Sequence, residues 1–140
     1  MSRVFWDTNL FVYLFESFSP LSKQVAALRS RMIARRDQLV TSAMTLGEIL
    51  VKPTRAGDAK AVAYYQKLIT TTALVVTFGE KAALEYARIR IDRTVRPPDA
   101  IQLACAAAEG VDLFITNDSS LHSKHVSGIH FIVSLDRVPI

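Results

Sequence analysis

Five short apolar runs alternate along this chain with longer stretches of helical spacing, and that alternation restricts the fold more than any other feature. The runs are RVFW (3–6), QLVTS (38–42), ALVVTF (73–78), DLFIT (112–116) and HFIVSL (130–135). Between the first two, NLFVYLFES begins a helix with Asn9 near its cap, and LSKQVAALRSRMIARR (21–36) sets Val25, Leu28 and Met32 on one face. TLGEILV forms a short helix, and KPTRAGD, with Pro53 and Gly57, reads as a loop exposing Lys52 and Arg55. DAKAVAYYQKLIT (58–70), a stretch from Glu80 to about Asp92, and DAIQLACAAAE complete the helices, the last with Pro98 at its first position and Gly110 as its stop. Parallel neighbouring strands need crossover connections, which are usually helices. The expected fold is therefore α/β: a three-layer α/β/α sandwich around a central parallel sheet of about five strands, in a single domain over residues 1–140.

With 50% hydrophobic and 21% charged residues, the chain can bury enough apolar surface to be globular. Asp7 and Asn9 interrupt the apolar start, so no signal peptide is expected, and no segment approaches the ~20 apolar residues that span a bilayer. No membrane association is expected. The lone Cys105 can form no internal disulfide and is read as a small core side chain, compatible with a reducing cytoplasm as the location. A net charge of +4 fits a polyanionic partner without specifying one.

Four acids carry the chemistry. In parallel α/β folds, sites form beyond the carboxyl ends of the strands. Asp7 follows the first run directly, where an ordinary helix N-cap would also stand. Thr45-x-x-Glu48 has the form of a capping box. Asp99 lies in the first turn of its helix, where the helix dipole favours a negative charge by ~0.3–1 kcal/mol. Asp118, in ITNDSS, has the look of a turn residue bonding its own backbone. Each has a local explanation, yet all four face one edge of a parallel sheet. Converging carboxylates repel unless a divalent cation lies between them, and magnesium and manganese prefer such ligands. The expected chemistry is phosphoryl transfer, with Thr8, Asn9, Thr116 and Asn117 orienting the acids and with Arg93 and Arg96, tethered beside Asp99, meeting a substrate phosphate.

The other candidates are weaker. His122, His125 and His130 lack a fourth zinc-type ligand and read as turn or surface residues. Ser119, Ser120 and His122 lack the G-x-S-x-G elbow of an acyl-transfer enzyme. Arg29, Arg31, Arg35 and Arg36 read as a solvated helix face. Phe5, Trp6, Phe11, Tyr13, Phe15 and Phe18 should be mostly core, with some excess left for a subunit contact.

The segments VFWDTNLFVY, TLGEIL and PPDAIQLACAAAEGVDLFITND resemble a PIN-domain nuclease, specifically the VapC-type toxin of bacterial toxin–antitoxin pairs. The resemblance covers essentially the whole chain and is most specific from Asp99 to Asp118 and at the opening D-T-N. It implies a PIN-like fold and a magnesium- or manganese-dependent endoribonuclease, inactivated by a cognate antitoxin protein and often homodimeric. Asp7, Glu48, Asp99 and Asp118 fall at the family's four acidic positions, and Asn9 and Thr116 at positions that support them. In the expected mechanism one or two divalent ions bound by the four acids activate a water, leaving a 5′-phosphate and a 3′-hydroxyl. If one acid acts instead as general base, Asp118 on its turn is preferred. Two rivals remain. One is a phosphatase whose nucleophilic Asp ends the first strand, although its usual second acid would fall where Asn9 stands. The other is a non-catalytic PIN-like RNA-binding or regulatory subunit.

Overall fold

A computed structural model describes residues 1–16 and 19–140, so Phe18, expected among the N-terminal aromatics, lies outside the described residues. All five apolar runs form strands: β1 (Arg3–Trp6), β2 (Gln38–Ser42), β3 (Leu74–Val76), β4 (Leu113–Ile115) and β5 (Phe131–Val133). They build one wholly parallel sheet in the order β3-β2-β1-β4-β5. The last three strands are shorter than their apolar runs. Single ladder-like bonds nevertheless continue past the ends of β4, from Asp112 N–H to the Arg3 carbonyl and from Thr116 N–H to the Val133 carbonyl.

Six helices lie among the described residues: α1 (Thr8–Phe15), α2 (Pro20–Arg35), α3 (Ala43–Arg55), α4 (Ala59–Thr72), α5 (Glu80–Ile89) and α6 (Pro97–Glu109). Side chains alternate across a strand, and β1 divides the core accordingly. Val4 and Trp6 pack with α1, α2 and Ile69 of α4, whereas Phe5 packs with α5 and α6 and stacks on Phe114 at a centroid distance of 5.0 Å. The result is the three-layer α/β/α arrangement that the alternation of runs and helices implies. Phe5, Trp6 and Phe11 are fully buried, and Tyr13 and Phe15 partly so. Cys105 is a buried core side chain, its thiol pushed up to about 11, chiefly by desolvation. No helix among the described residues is long and apolar enough to cross a membrane.

Several local expectations are corrected. KPTRAGD is not all loop, because α3 continues through Pro53 to Arg55. Pro53 lacks the N–H for a helical bond, but its carbonyl is used by Asp58 N–H at 3.0 Å. Helix α5 ends at Ile89 rather than near Asp92, and α6 starts at Pro97, whose missing N–H costs nothing at a first helical position. Asp7, not Asn9, caps α1. The arginine face of α2 is partly tied down: Arg29 donates to the Thr72 carbonyl, Arg31 to the Ile140 carbonyl and Arg35 to Asp37.

Two glycines make opposite demands. Gly128 has φ +95°, and a Cβ there would lie 2.7 Å from the Ala107 carbonyl oxygen at the end of α6. Gly47, inside α3, has an ordinary φ, and a Cβ there would meet no other atom within 4 Å. Gly128→Ala should therefore destabilise the protein by about 1–3 kcal/mol, and Gly47→Ala should stabilise it by about 0.5–1 kcal/mol. Chemical denaturation of the two variants checks the signs, and a neutral Gly128→Ala would contradict the packing of this loop.

Candidate active site

The strand order places a topological switch between β1 and β4, since the chain runs outward from β1 through β2 to β3 and then returns to the other side of β1. Such a switch leaves a crevice beyond the carboxyl ends of the two strands. Here the crevice has a volume of about 340 Å³, and Asp7, Glu48, Asp99 and Asp118 all line it. They arrive from four segments: the end of β1, the second turn of α3, the first turn of α6 and the turn after β4.

Asp7 is 8% exposed, and both oxygens of its carboxyl group accept hydrogen bonds. Oδ1 accepts from Thr8 N–H at 2.8 Å and from Gln102 Nε2 at 3.3 Å, while Oδ2 accepts from Thr116 Oγ1 at 2.8 Å. Burial raises its pKa above the ordinary carboxylate range, those three hydrogen bonds oppose the rise, and the charge of Asp118 adds to it. Thus Asp7 is a helix cap and a site residue at once. The Asp99 carboxyl is also raised, first by desolvation, then by the charges of Asp118 and Asp7, with Arg96 opposing and Glu48 adding. Each acid therefore lies in the field of others across the crevice.

The capping box at Thr45 and Glu48 does not form. Ser42 caps α3, its Oγ accepting from Met44 and Thr45 N–H, and Thr45 is buried with its hydroxyl turned to Thr8 at 3.1 Å and Gln102 at 2.7 Å. Glu48 is left exposed at the crevice, where its Oε1 accepts from Thr8 Oγ1 at 2.8 Å. Asp118 has both of its possible roles. Its Oδ1 accepts from Ser120 N–H at 3.0 Å and from Ser120 Oγ at 2.6 Å, capping the short 3-10 turn Ser119–Leu121, while its charge reaches Asp7 and Asp99.

Thr116 joins these parts. Its hydroxyl donates to Asp7 and accepts from Asp118 N–H at 3.0 Å and from Asn9 Nδ2 at 3.3 Å. Asn9 Oδ1 in turn accepts from Asn117 N–H at 3.4 Å. The His122 ring nitrogen lies 2.7 Å from the Thr116 carbonyl, a contact that closes the turn. Of the two arginines, exposed Arg96 is the α6 cap residue, and its charge acts on Asp99. Arg93 is exposed on the preceding turn, which Asp92 braces through Thr94 and Lys124, and it is not among the residues lining the crevice. Hydrogen bonds from Lys124 and Thr94 hold the Asp92 carboxyl down at about 2.

Gln102 is the site residue that sequence reasoning passed over. It is 2% exposed and bonds to Asp7, Thr8 and Thr45. The available signal was its place three residues after Asp99, on the same helix face.

The donor set is all oxygen: four carboxylates with neighbouring hydroxyls and amides, the chemistry that suits magnesium or manganese. Among the described residues no three His, Cys, Asp or Glu side chains stand close enough together to hold a metal ion by themselves. That spacing is compatible with an ion that keeps several waters and takes only some protein ligands. The residues fit a hydrated divalent cation, which Asp7, Glu48, Asp99 and Asp118 would hold.

The family model of the PIN domain matches residues 4–125, from the start of β1 to beyond Asp118. The chain belongs to the PIN-domain family. Among solved structures, this PIN domain is similar to VapBC2 from Rickettsia felis bound to a promoter DNA fragment, at 14% identity and a TM-score of 0.75 over 94% of this chain and 98% of that one. It is also similar to DNA-bound VapBC from Salmonella typhimurium, at 19% identity and a TM-score of 0.69 over 96% and 99%. A third is VapBC-5 from Mycobacterium tuberculosis, a member of the VapBC family of toxin–antitoxin systems, at 22% identity and a TM-score of 0.58 over 94% and 98%. At these identities the likeness is one of fold. A search of curated proteins gives no significant match.

The raised acids of this PIN domain lead to a stability test. A carboxyl whose pKa is higher in the folded state contributes stability that is present in acid and lost as pH rises through the folded value. Because the Asp118 charge raises both Asp7 and Asp99, Asp118→Asn should melt higher than the wild type in chelator at about pH 7. The gap should close near about pH 4, where the carboxyls protonate. Asn keeps the acceptor that Ser120 uses, so the local cap survives. Paired melting curves with chelator at both pH values check this, and coincident curves at neutral pH would leave Asp118 as a turn residue only.

Proposed function

We propose that this PIN domain is a divalent-metal-dependent endoribonuclease acting as the toxin of a toxin–antitoxin pair. The observation that carries this reading is the convergence of four carboxylates from four chain segments on one crevice at the sheet's carboxyl edge. No cysteine, histidine, lysine or serine lines that crevice among the described residues, and of the two hydroxyls that do, Thr8 and Tyr13, the first is bonded to Glu48, so the reading takes water as the nucleophile. Bound magnesium or manganese would activate that water and stabilise charge on the attacked phosphate. The chain's own part is to fix Asp7 through Thr116, Gln102 and the Thr8 N–H, to hold Glu48 through Thr8, and to offer Arg96 to a substrate phosphate beside Asp99.

The phosphatase alternative fares worse. Asn9 stands where its second acid would be, and it is turned to Thr116 and Asn117. A non-catalytic subunit would not need four mutually repelling acids. For the partners, the similar solved structures are toxin–antitoxin assemblies, which supports a cognate antitoxin here. A homodimer, which the resemblance to VapC-type toxins implies, is part of this proposal. A cytoplasmic location and a single domain over residues 1–140 belong to the same proposal.

Pure protein incubated with RNA should cleave it in magnesium or manganese, lose that activity in chelator, and leave 5′-phosphate ends. Chelator-resistant cleavage or 2′,3′-cyclic phosphate ends would overturn the proposal. Arg96→Ala should weaken cleavage at limiting RNA and lower the salt slope of binding by about 1 without changing the melting temperature. The α6 cap contact there uses only the Arg96 backbone carbonyl, which accepts from Ala100 N–H at 2.9 Å. Unchanged cleavage would remove Arg96 from the substrate path.

A further inference from the structure

One buried amide, on the helix that carries Asp99, touches two of the other segments that bring acids to the crevice. Gln102 projects from α6, is 2% exposed, and has a partner for its carbonyl oxygen and for both amide protons, which three acceptors share. Its Oε1 accepts from Ser42 Oγ at the end of β2. Its Nε2 donates to Thr45 Oγ1 of α3 at 2.7 Å, to Thr8 Oγ1 of α1 at 3.2 Å and to Asp7 Oδ1 at 3.3 Å.

The direction of this network follows from counting donors. Ser42 Oγ already accepts from Met44 and Thr45 N–H, so its single proton is the one free to meet Gln102 Oε1. A flipped amide would put its oxygen against the Asp7 carboxylate and its N–H group against a hydroxyl whose lone pairs are taken, so only one orientation satisfies every atom. Thr8 Oγ1 gives its proton to Glu48 Oε1 at 2.8 Å and therefore receives hydrogen bonds from Gln102 and Thr45. One route runs from the amide to Asp7, and another runs through Thr45 and Thr8 to Glu48.

We infer that Gln102 is a positioning residue that orients Asp7 and Glu48 together, setting the two carboxylates on opposite sides of the crevice for a divalent cation. It touches no reacting atom and acts through the acids. A glutamine suits the place because two donors and one acceptor are required. An apolar side chain of similar size would fill the space and orient neither acid. Partners of this kind typically tune metal affinity 10–100-fold.

The inference rests on the metal reading proposed above, and the test separates the two. Manganese alone is titrated into the wild type, Gln102→Met and Thr45→Val, well below the melting temperature of each, and binding is read by calorimetry or by the electron paramagnetic resonance of free manganese. Gln102→Met should bind manganese about 10–100-fold more weakly than wild type. Thr45→Val, which breaks the route to Glu48 and keeps the amide beside Asp7, should lie between the two, and it carries the test alone if Gln102→Met does not fold. A melting temperature lowered in either variant with an unchanged manganese affinity would show packing alone and overturn the inference while leaving the metal reading intact. A wild type that binds no manganese would overturn both.

Discussion

The arrangement depends on holding one carboxyl group, Asp7, almost wholly out of water at the end of the central strand. An ion buried without partners costs several kcal/mol, so a chain that ends its central strand in a buried aspartate must supply donors for both oxygens. It does so from the next residue's backbone, from the strand beside it and from a helix on the other face: Thr8, Thr116 and Gln102. Those three donors come from parts of the fold that the parallel sheet brings together at its switch point. The same three contacts leave Asp7 fixed at the crevice floor, with Asp99 and Asp118 in its field.

Local turn chemistry and the functional arrangement use the same atoms. Asp7 caps α1, Asp118 caps a 3-10 turn, and Thr116 closes the β4 turn while ordering both acids. A residue at a strand end has its backbone set by local bonds and its side chain aimed over the sheet edge. The two acids at strand ends can therefore stabilise the turns and remain in the crevice. Repulsion among the four acids opposes the metal-free fold, and a cation bound between them would reverse the sign of that contribution.

What could be read directly from sequence was what depends on short-range pattern. Short apolar runs alternating with helical spacing pointed to five strands in a parallel sheet, and Asp7 and Asp118 stood out because strand ends in such a fold are where sites form. Glu48 was harder, because its spacing from Thr45 mimics a capping box. The box fails because Thr45's hydroxyl is drawn to Thr8 and Gln102, contacts across 37 and 57 residues that no local pattern contains. Gln102 was missed for the same reason: in AIQLACAAAEG it resembles an ordinary polar position, and its burial follows only from how α6 lies against β2. Pro53 misled in the opposite sense, since α3 runs through it to Arg55 despite the lost backbone donor.

The central claim is that the four acids form one divalent-cation site at the switch between β1 and β4. Crystals of the protein grown with manganese and measured at the manganese absorption edge test it most directly, because anomalous difference density locates the ion independently of activity, antitoxin or RNA. The account predicts a peak within the crevice bounded by Asp7, Glu48, Asp99 and Asp118. A saturated crystal with no peak there, or with manganese held only elsewhere on the surface, would contradict it.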